Sequence, residues 1–177
     1  MTFDAVRPVI VPTEYFERAD FPAAHENLVA PDLAMTWVEL TECQTMVYVT
    51  RERAMAWDCA GVAWRTAAVS SMRNADRGAV YTHEKRTARG DLAWVAMMHE
   101  DGLGSSRLLC RAELADVFPE GYWIALPDRS CGIAISRSLR GEALDEVRAM
   151  VSSMHRNATV PMLPDLRDPD MLLPHAV

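Results

Sequence analysis

Apolar residues along the chain fall into runs of alternating spacing and runs near 3.6-residue spacing, separated by Pro- and Gly-containing breaks, and these runs predict the elements. Met35 to Leu40 and Thr45 to Thr50 are β-rich. They are separated by Thr41, Glu42, Cys43 and Gln44, which predicts an antiparallel hairpin with Trp37, Met46 and Tyr48 packing on alternate faces. Thr50 then caps a helix over Arg51 to Cys59, and Gly61 ends it. A second helix carries Trp64, Ala67, Ala68 and Met72 on one stripe, with Arg65 and Arg73 wet, and breaks at Asp76-Arg77-Gly78.

Ala79 to His83 and Leu92 to Met98 predict a second strand pair, the latter apolar enough to be central. Asp101-Gly102-Leu103-Gly104 forces a reversal, and both of its glycines can take the positive φ that a tight turn demands. Ser105 to Phe118 reads two ways: Arg107 to Cys110 as strand before a helix over Ala112 to Val117, or one longer helix capped by Ser105. Tyr122 to Leu126 and Cys131 to Ser136 form a hairpin around Pro127-Asp128-Arg129-Ser130. A last helix runs from Leu139 to Met154 on the stripe Leu144, Val147, Val151 and Met154, with Glu142, Asp145, Glu146 and Arg148 opposite.

Prolines punctuate both ends. Pro8, Pro12, Pro22 and Pro31 predict an extended arm over residues 1–32, and Pro161, Pro164, Pro169 and Pro174 exclude regular structure from a tail over 158–177. That tail either drapes over the domain through Met162, Leu163, Leu166, Met171 and Leu172 or docks on a partner. The expected architecture is one α+β domain over 33–157, with a mixed or mainly antiparallel sheet of about six strands packed by about three to four helices.

Composition sharpens this picture. Half of the 177 residues are apolar and 24% are charged, enough for one buried core. The formal charge of −7 argues against nucleic acid as a partner, and the basic run Lys85, Arg86, Arg89 sits beside Glu84 and Asp91 as a solvated turn. The longest strictly apolar run, Ala93 to Met98, is far short of the roughly 20 residues a spanning helix needs, so no membrane is expected. Cys43, Cys59, Cys110 and Cys131 contain no C-x-x-C pair, which predicts reduced, mostly buried thiols and a cytoplasmic location.

Two turns carry the chemistry. Asp101, Ser105, Ser106 and Arg107 lie in one, Asp128, Arg129 and Ser130 in the other, and adjacent strands would bring both to one edge of the sheet. Carboxylates, guanidinium forks and hydroxyls together suit bidentate recognition of a carboxylate or phosphate. The same residues also suit plain scaffolding, with the acids bonding turn amides and pairing with the arginines. Nucleophilic catalysis would need Cys131 or Ser106 beside His83 or His99. His83, Glu84, His99 and Asp101 are a set that strand alternation could gather around a metal, yet neither metal nor cofactor is expected, because metal, phosphate-loop and dinucleotide signatures are missing. Trp37, Trp57, Trp64, Trp94 and Trp123 fill core space, with one or two rings free to anchor an interface.

The block from Asp101 through Leu109, followed by Gly121-Tyr122-Trp123-Ile124-Ala125-Leu126-Pro127-Asp128-Arg129, resembles the YtpQ-like family of uncharacterised bacterial proteins. The family pattern runs from an Asp-Gly turn into Ser-Arg-Leu-Leu and then into an apolar strand ending in Pro-x-Arg-Asp. The likeness spans roughly residues 50–140 and departs at Ser130, where the pattern has Asp. It implies an α+β domain and brings no established reaction. The resulting expectation is a non-catalytic accessory protein, an inhibitor, immunity-type factor or subunit of an assembly, that binds another protein and has scope to self-associate. The alternative is a small hydrolase or transferase using Asp101, Arg107, Asp128 and Arg129 as an anion-binding edge.

Overall fold

Proline removes one ladder amide and so sits on edge strands, at strand ends or at irregularities; both sheets of this protein follow that rule, Pro127 of an interior strand lying at a register slip. The computed structural model describes residues 3–17, 22–41, 45–75 and 79–175. They fall into two α+β units, Met1–Gly78 with Leu172–Val177 and Ala79–Met171. The expected single sheet of about six strands is in fact two antiparallel sheets of four and five strands, with five α-helices among the described residues. The additional strands lie largely in the two proline-rich segments.

The first unit contains β1 (Val6–Pro12), α1 (Glu14–Glu17), β2 (His25–Asn27), β3 (Leu33–Leu40), β4 (Met46–Tyr48), α2 (Arg51–Cys59) and α3 (Trp64–Ala75). β3 is central, paired with β1 along one side and with β2 and β4 along the other. The segment expected as an arm is therefore extended but is not free. Pro8 and Pro12 sit in an edge strand that needs amides toward one neighbour only, and Val9, Ile10 and Val11 of that strand are fully buried.

The β3–β4 hairpin forms in the register Val38 to Tyr48. Its turn residues Glu42, Cys43 and Gln44, like the helix break at Asp76-Arg77-Gly78, lie outside the described residues. Thr50 caps α2 by accepting from the Arg53 amide at 3.2 Å, and Gly61 follows at φ +67°. α3 packs on β1, bringing Trp64 to Trp37 at a centroid distance of 4.8 Å and to Trp57 at 5.1 Å. Arg65 crosses the Trp64 ring at 4.3 Å while Glu26 and Asp58 hold its guanidinium, so a charged side chain closes an aromatic core. Residues 173–175 return here: the Val29 amide donates to the Leu173 carbonyl at 2.9 Å and the His175 amide to that of Asn27 at 2.8 Å.

The second unit holds β5 (His83–Arg86), β6 (Leu92–Met97), α4 (Arg111–Val117), β7 (Tyr122–Asp128), β8 (Cys131–Ser136), α5 (Gly141–Arg156) and β9 (Pro161–Arg167), in the sheet order β5-β6-β8-β7-β9. β6 is interior, as its apolar run predicts. β5 begins at His83, where the expected strand ended. Its residues are all polar and all exposed because it is an outer edge, which an apolar pattern cannot signal. Over Ser105 to Phe118 the helix of the first alternative forms as α4, whereas the strand expected at Arg107 to Cys110 is instead part of a 3₁₀ turn over Ser105–Leu109, and the single longer helix does not form.

The tail is also corrected. β9 pairs with β7, and the register slips between Ile124 and Leu126, opposite the stretch containing Pro164, so an irregular edge absorbs the missing amide. A second 3₁₀ turn follows over Pro169–Leu172.

Strand alternation divides the side chains of the second sheet. Trp94, Ile135 and Trp123 align across three strands on one face, which α5 covers through Val147 and Val151. The 3₁₀ turn lies against β8 on the other face, where a Cβ on Gly132 would come within 3.0 Å of Leu108 and of Ser105 Cα.

Candidate functional site

The two turns singled out by sequence do meet. Ser105 donates its amide, at 3.1 Å, and its hydroxyl, at 2.7 Å, to the Arg129 carbonyl. Gly104 allows that approach. Its φ is −56°, so of the two glycines in this turn only Gly102, at +69°, takes a positive φ. The reason for a glycine at 104 is space, since a Cβ there would overlap the carbonyl oxygens of Met97 and Ser130.

Within this junction the polar groups serve one another. Arg107, only 2% exposed, donates to Asp101 through both terminal nitrogens at 3.0 Å each, and Asp101 Oδ1 also accepts from the Leu103 amide at 3.0 Å. Asp128 Oδ1 accepts from the Ser130 amide at 2.7 Å and hydroxyl at 2.6 Å, while Oδ2 accepts from the Val160 amide at 3.1 Å. Burial on its own would raise the Asp128 carboxyl. The Ser130 hydroxyl and amide and the amides of Val160 and Thr159 outweigh it, so the net direction is below the ordinary value. Ser105 and Ser106 are fully buried, and Arg129 is half-buried with its Nε unbonded.

The candidate nucleophiles are poorly placed for attack. Burial, reinforced by the charge on Asp128, pushes the Cys131 thiol up to about 12, so it stays protonated at neutral pH. His99 Nε2 bonds the Val80 carbonyl at 3.2 Å, and exposed His83 bonds the Thr82 hydroxyl at 2.8 Å. No group of three or more His, Cys, Asp or Glu among the described residues is placed to hold a metal, so His83, Glu84, His99 and Asp101 do not form a ligand set. No helix among the described residues is long and apolar enough to cross a membrane.

A different feature offers open apolar surface. α5 lies over β7 and β9. Toward β5 and β6 it leaves a groove of about 690 Å³, whose apolar lining includes Ala93, Trp94, Leu139, Ala143, Val147 and Met150. The register slips between Lys85 and Arg86, which pair with Trp94 and Leu92, so Ala93 is a bulge residue that reaches the groove beside Trp94. Lys85 and Arg86 form one rim, and Glu146 stands on the other. This volume is within the range of ligand and peptide sites.

No family model, curated protein or solved structure matches the chain. Function must therefore be argued from these surfaces.

Two other clefts are more polar. One of about 470 Å³ runs past Arg86, Asp91, Glu120 and Ser138, and one of about 810 Å³ in the first unit includes His25, Glu26 and His175. None of the six sequence-derived candidates lines any of these three spaces.

Sequence reading missed the groove because its lining comes from a hairpin, an interior strand and a helix that no local spacing connects. One signal was present. Ala143, Val147 and Met150 follow at i, i+4 and i+7, a stripe on α5 that shares Val147 with the one packed on the sheet and extends it toward the groove.

Proposed function

We propose that the protein is a non-catalytic accessory protein that binds another protein through the groove between the β5–β6 hairpin and α5. The observation that carries this reading is the half-covered sheet face with Trp94 at its floor. Tryptophan in a pocket rimmed by polar groups is the composition typical of interface anchors. The rival reading, a small hydrolase or transferase using the two turns as an anion-binding edge, draws less support: Arg107 is committed to Asp101, and Cys131 holds its proton. The likeness to the YtpQ-like proteins brings no reaction to add.

The test is site-specific photocrosslinking in the source organism, with the photoreactive residue at Ala143 and, as a control, at Asp116 on α4. A discrete adduct from position 143 that Trp94→Ala removes without unfolding the chain is the expected result. A chain that forms no Trp94-dependent adduct and elutes as a free monomer from native lysate overturns the proposal.

A further inference from the structure

The groove has a size and a polarity, and from them we infer that its occupant is an amphipathic α-helix of the partner, carrying acidic residues along the edge that meets Lys85; this rests on the protein-binding reading above. Size comes first. Five strands at about 4.8 Å spacing make a sheet about 19 Å across, whereas one helix with its side chains is about 10–12 Å wide. Because α5 sits toward the β9 edge, part of its width overhangs the sheet, and the strip left over β6 and β5 approaches the width of one helix. Ala143 and Met150, two turns apart on α5 with buried Val147 between them, line the side against which a neighbouring helix would pack, and Trp94 supplies the floor.

An added strand suits the site less well. β5 is the free edge, but its side chains His83, Glu84, Lys85 and Arg86 are all exposed and nearly all charged, which discourages edge-to-edge pairing.

Charge then sets the orientation. Arg86 is already held by Glu84 at 2.8 Å and by the Gly90 carbonyl at 3.0 Å. Lys85, the only lysine of the chain, is exposed and has no side-chain partner among the described residues. Opposite it, Glu146 stands on the α5 rim. A helix lying between these rims meets a free ammonium on one side and a carboxylate on the other, on a protein whose overall charge of −7 would otherwise repel acidic partners.

Fluorescence anisotropy on the full chain tests this with synthetic 18-residue helical peptides that share one leucine stripe. In one peptide an edge of the stripe carries Glu and the other Gln; in the second both edges carry Gln. The Glu peptide is expected to bind at least fivefold tighter than the Gln peptide. Lys85→Glu removes that advantage, and Trp94→Ala weakens both peptides at least tenfold, with melting temperatures confirming that the variants fold. Equal affinity of the two peptides, a ranking unchanged by Lys85→Glu, or no helix binding at all overturns the inference. A Trp94-dependent self-association, or Trp94-dependent binding of octanoate without binding of the helices, overturns it as well, by placing a second copy or an amphiphile in the groove. If a crosslinked partner persists while these peptides fail, the helix is wrong and the protein-binding reading stands.

Discussion

Arg107 and Asp101 form a two-pronged pair in which each terminal nitrogen of a buried guanidinium lies 3.0 Å from a different carboxylate oxygen. Removing one partner of such a pair strands a charge. Asp101→Ala is expected to cost about 3–5 kcal/mol of unfolding free energy, and Arg107→Met, which removes the buried charge itself, distinctly less. Urea denaturation of the two variants checks the order, and equal losses would show that packing rather than charge holds the turn.

Gly104 makes the second prediction. A Cβ at this position overlaps two backbone carbonyls that cannot rotate away, so Gly104→Ala should cost about 3 kcal/mol or more. At Gly61 a Cβ meets open space, and only the left-handed backbone at φ +67° penalises alanine, by about 1–2 kcal/mol. Thermal melts of both variants decide it, and a mild Gly104→Ala would mean that the two turns are not clamped together.

Cysteine reactivity follows from burial. Cys59 is exposed, whereas Cys110 and Cys131 are buried and the Cys131 thiol is pushed up to about 12. Iodoacetamide should label Cys59 in the native chain and reach Cys131 only after unfolding. Peptide mass spectrometry reads this directly, and fast native labelling of Cys131 would return it to the candidate nucleophiles.

Acid should weaken the second unit through Asp128. Its carboxyl titrates below the ordinary value in the folded chain, so its contribution is full above the unfolded value near 3.9 and is lost as pH falls through the lower folded value. Between pH 5 and 3 the melting temperature of Asp128→Asn should therefore fall less steeply than that of the unaltered chain. Parallel curves would show that the Ser130 and Val160 contacts bind both protonation states equally.

Much of the secondary structure was legible because it depends on neighbours in sequence. Thr50 before an alternating-charge helix, and an Asp128 side chain able to bond its own turn, are local signals, and both appear as read. Pro8 and Pro164 misled for an equally physical reason: proline is admitted on an edge strand or at an irregular register, but whether a segment is an edge or an unattached arm depends on which strand lies beside it. The polar strand His83–Arg86 was misplaced because an exposed edge carries no apolar alternation. The two turns could be foreseen as adjacent, since both follow strands of one sheet. Of the acid–arginine pairs that one of the two readings expected, Asp101–Arg107 forms, whereas Arg129 leaves its Nε unbonded. The groove beside Trp94 had no such signature, because an unfilled space is set by which strands a helix fails to cover.

The return of residues 173–175 to the first sheet makes that unit discontinuous in sequence, with the partners Leu28 and Pro174 separated by 146 positions (174 − 28). At about 5–20 residues per second, a ribosome needs roughly 7–30 s between making the two. Through that interval the outer edge of β2 has no such neighbour, and the intervening unit is synthesised as an insertion within an incomplete host. The nascent chain is thus most open to aggregation and to chaperones during the synthesis of its own middle.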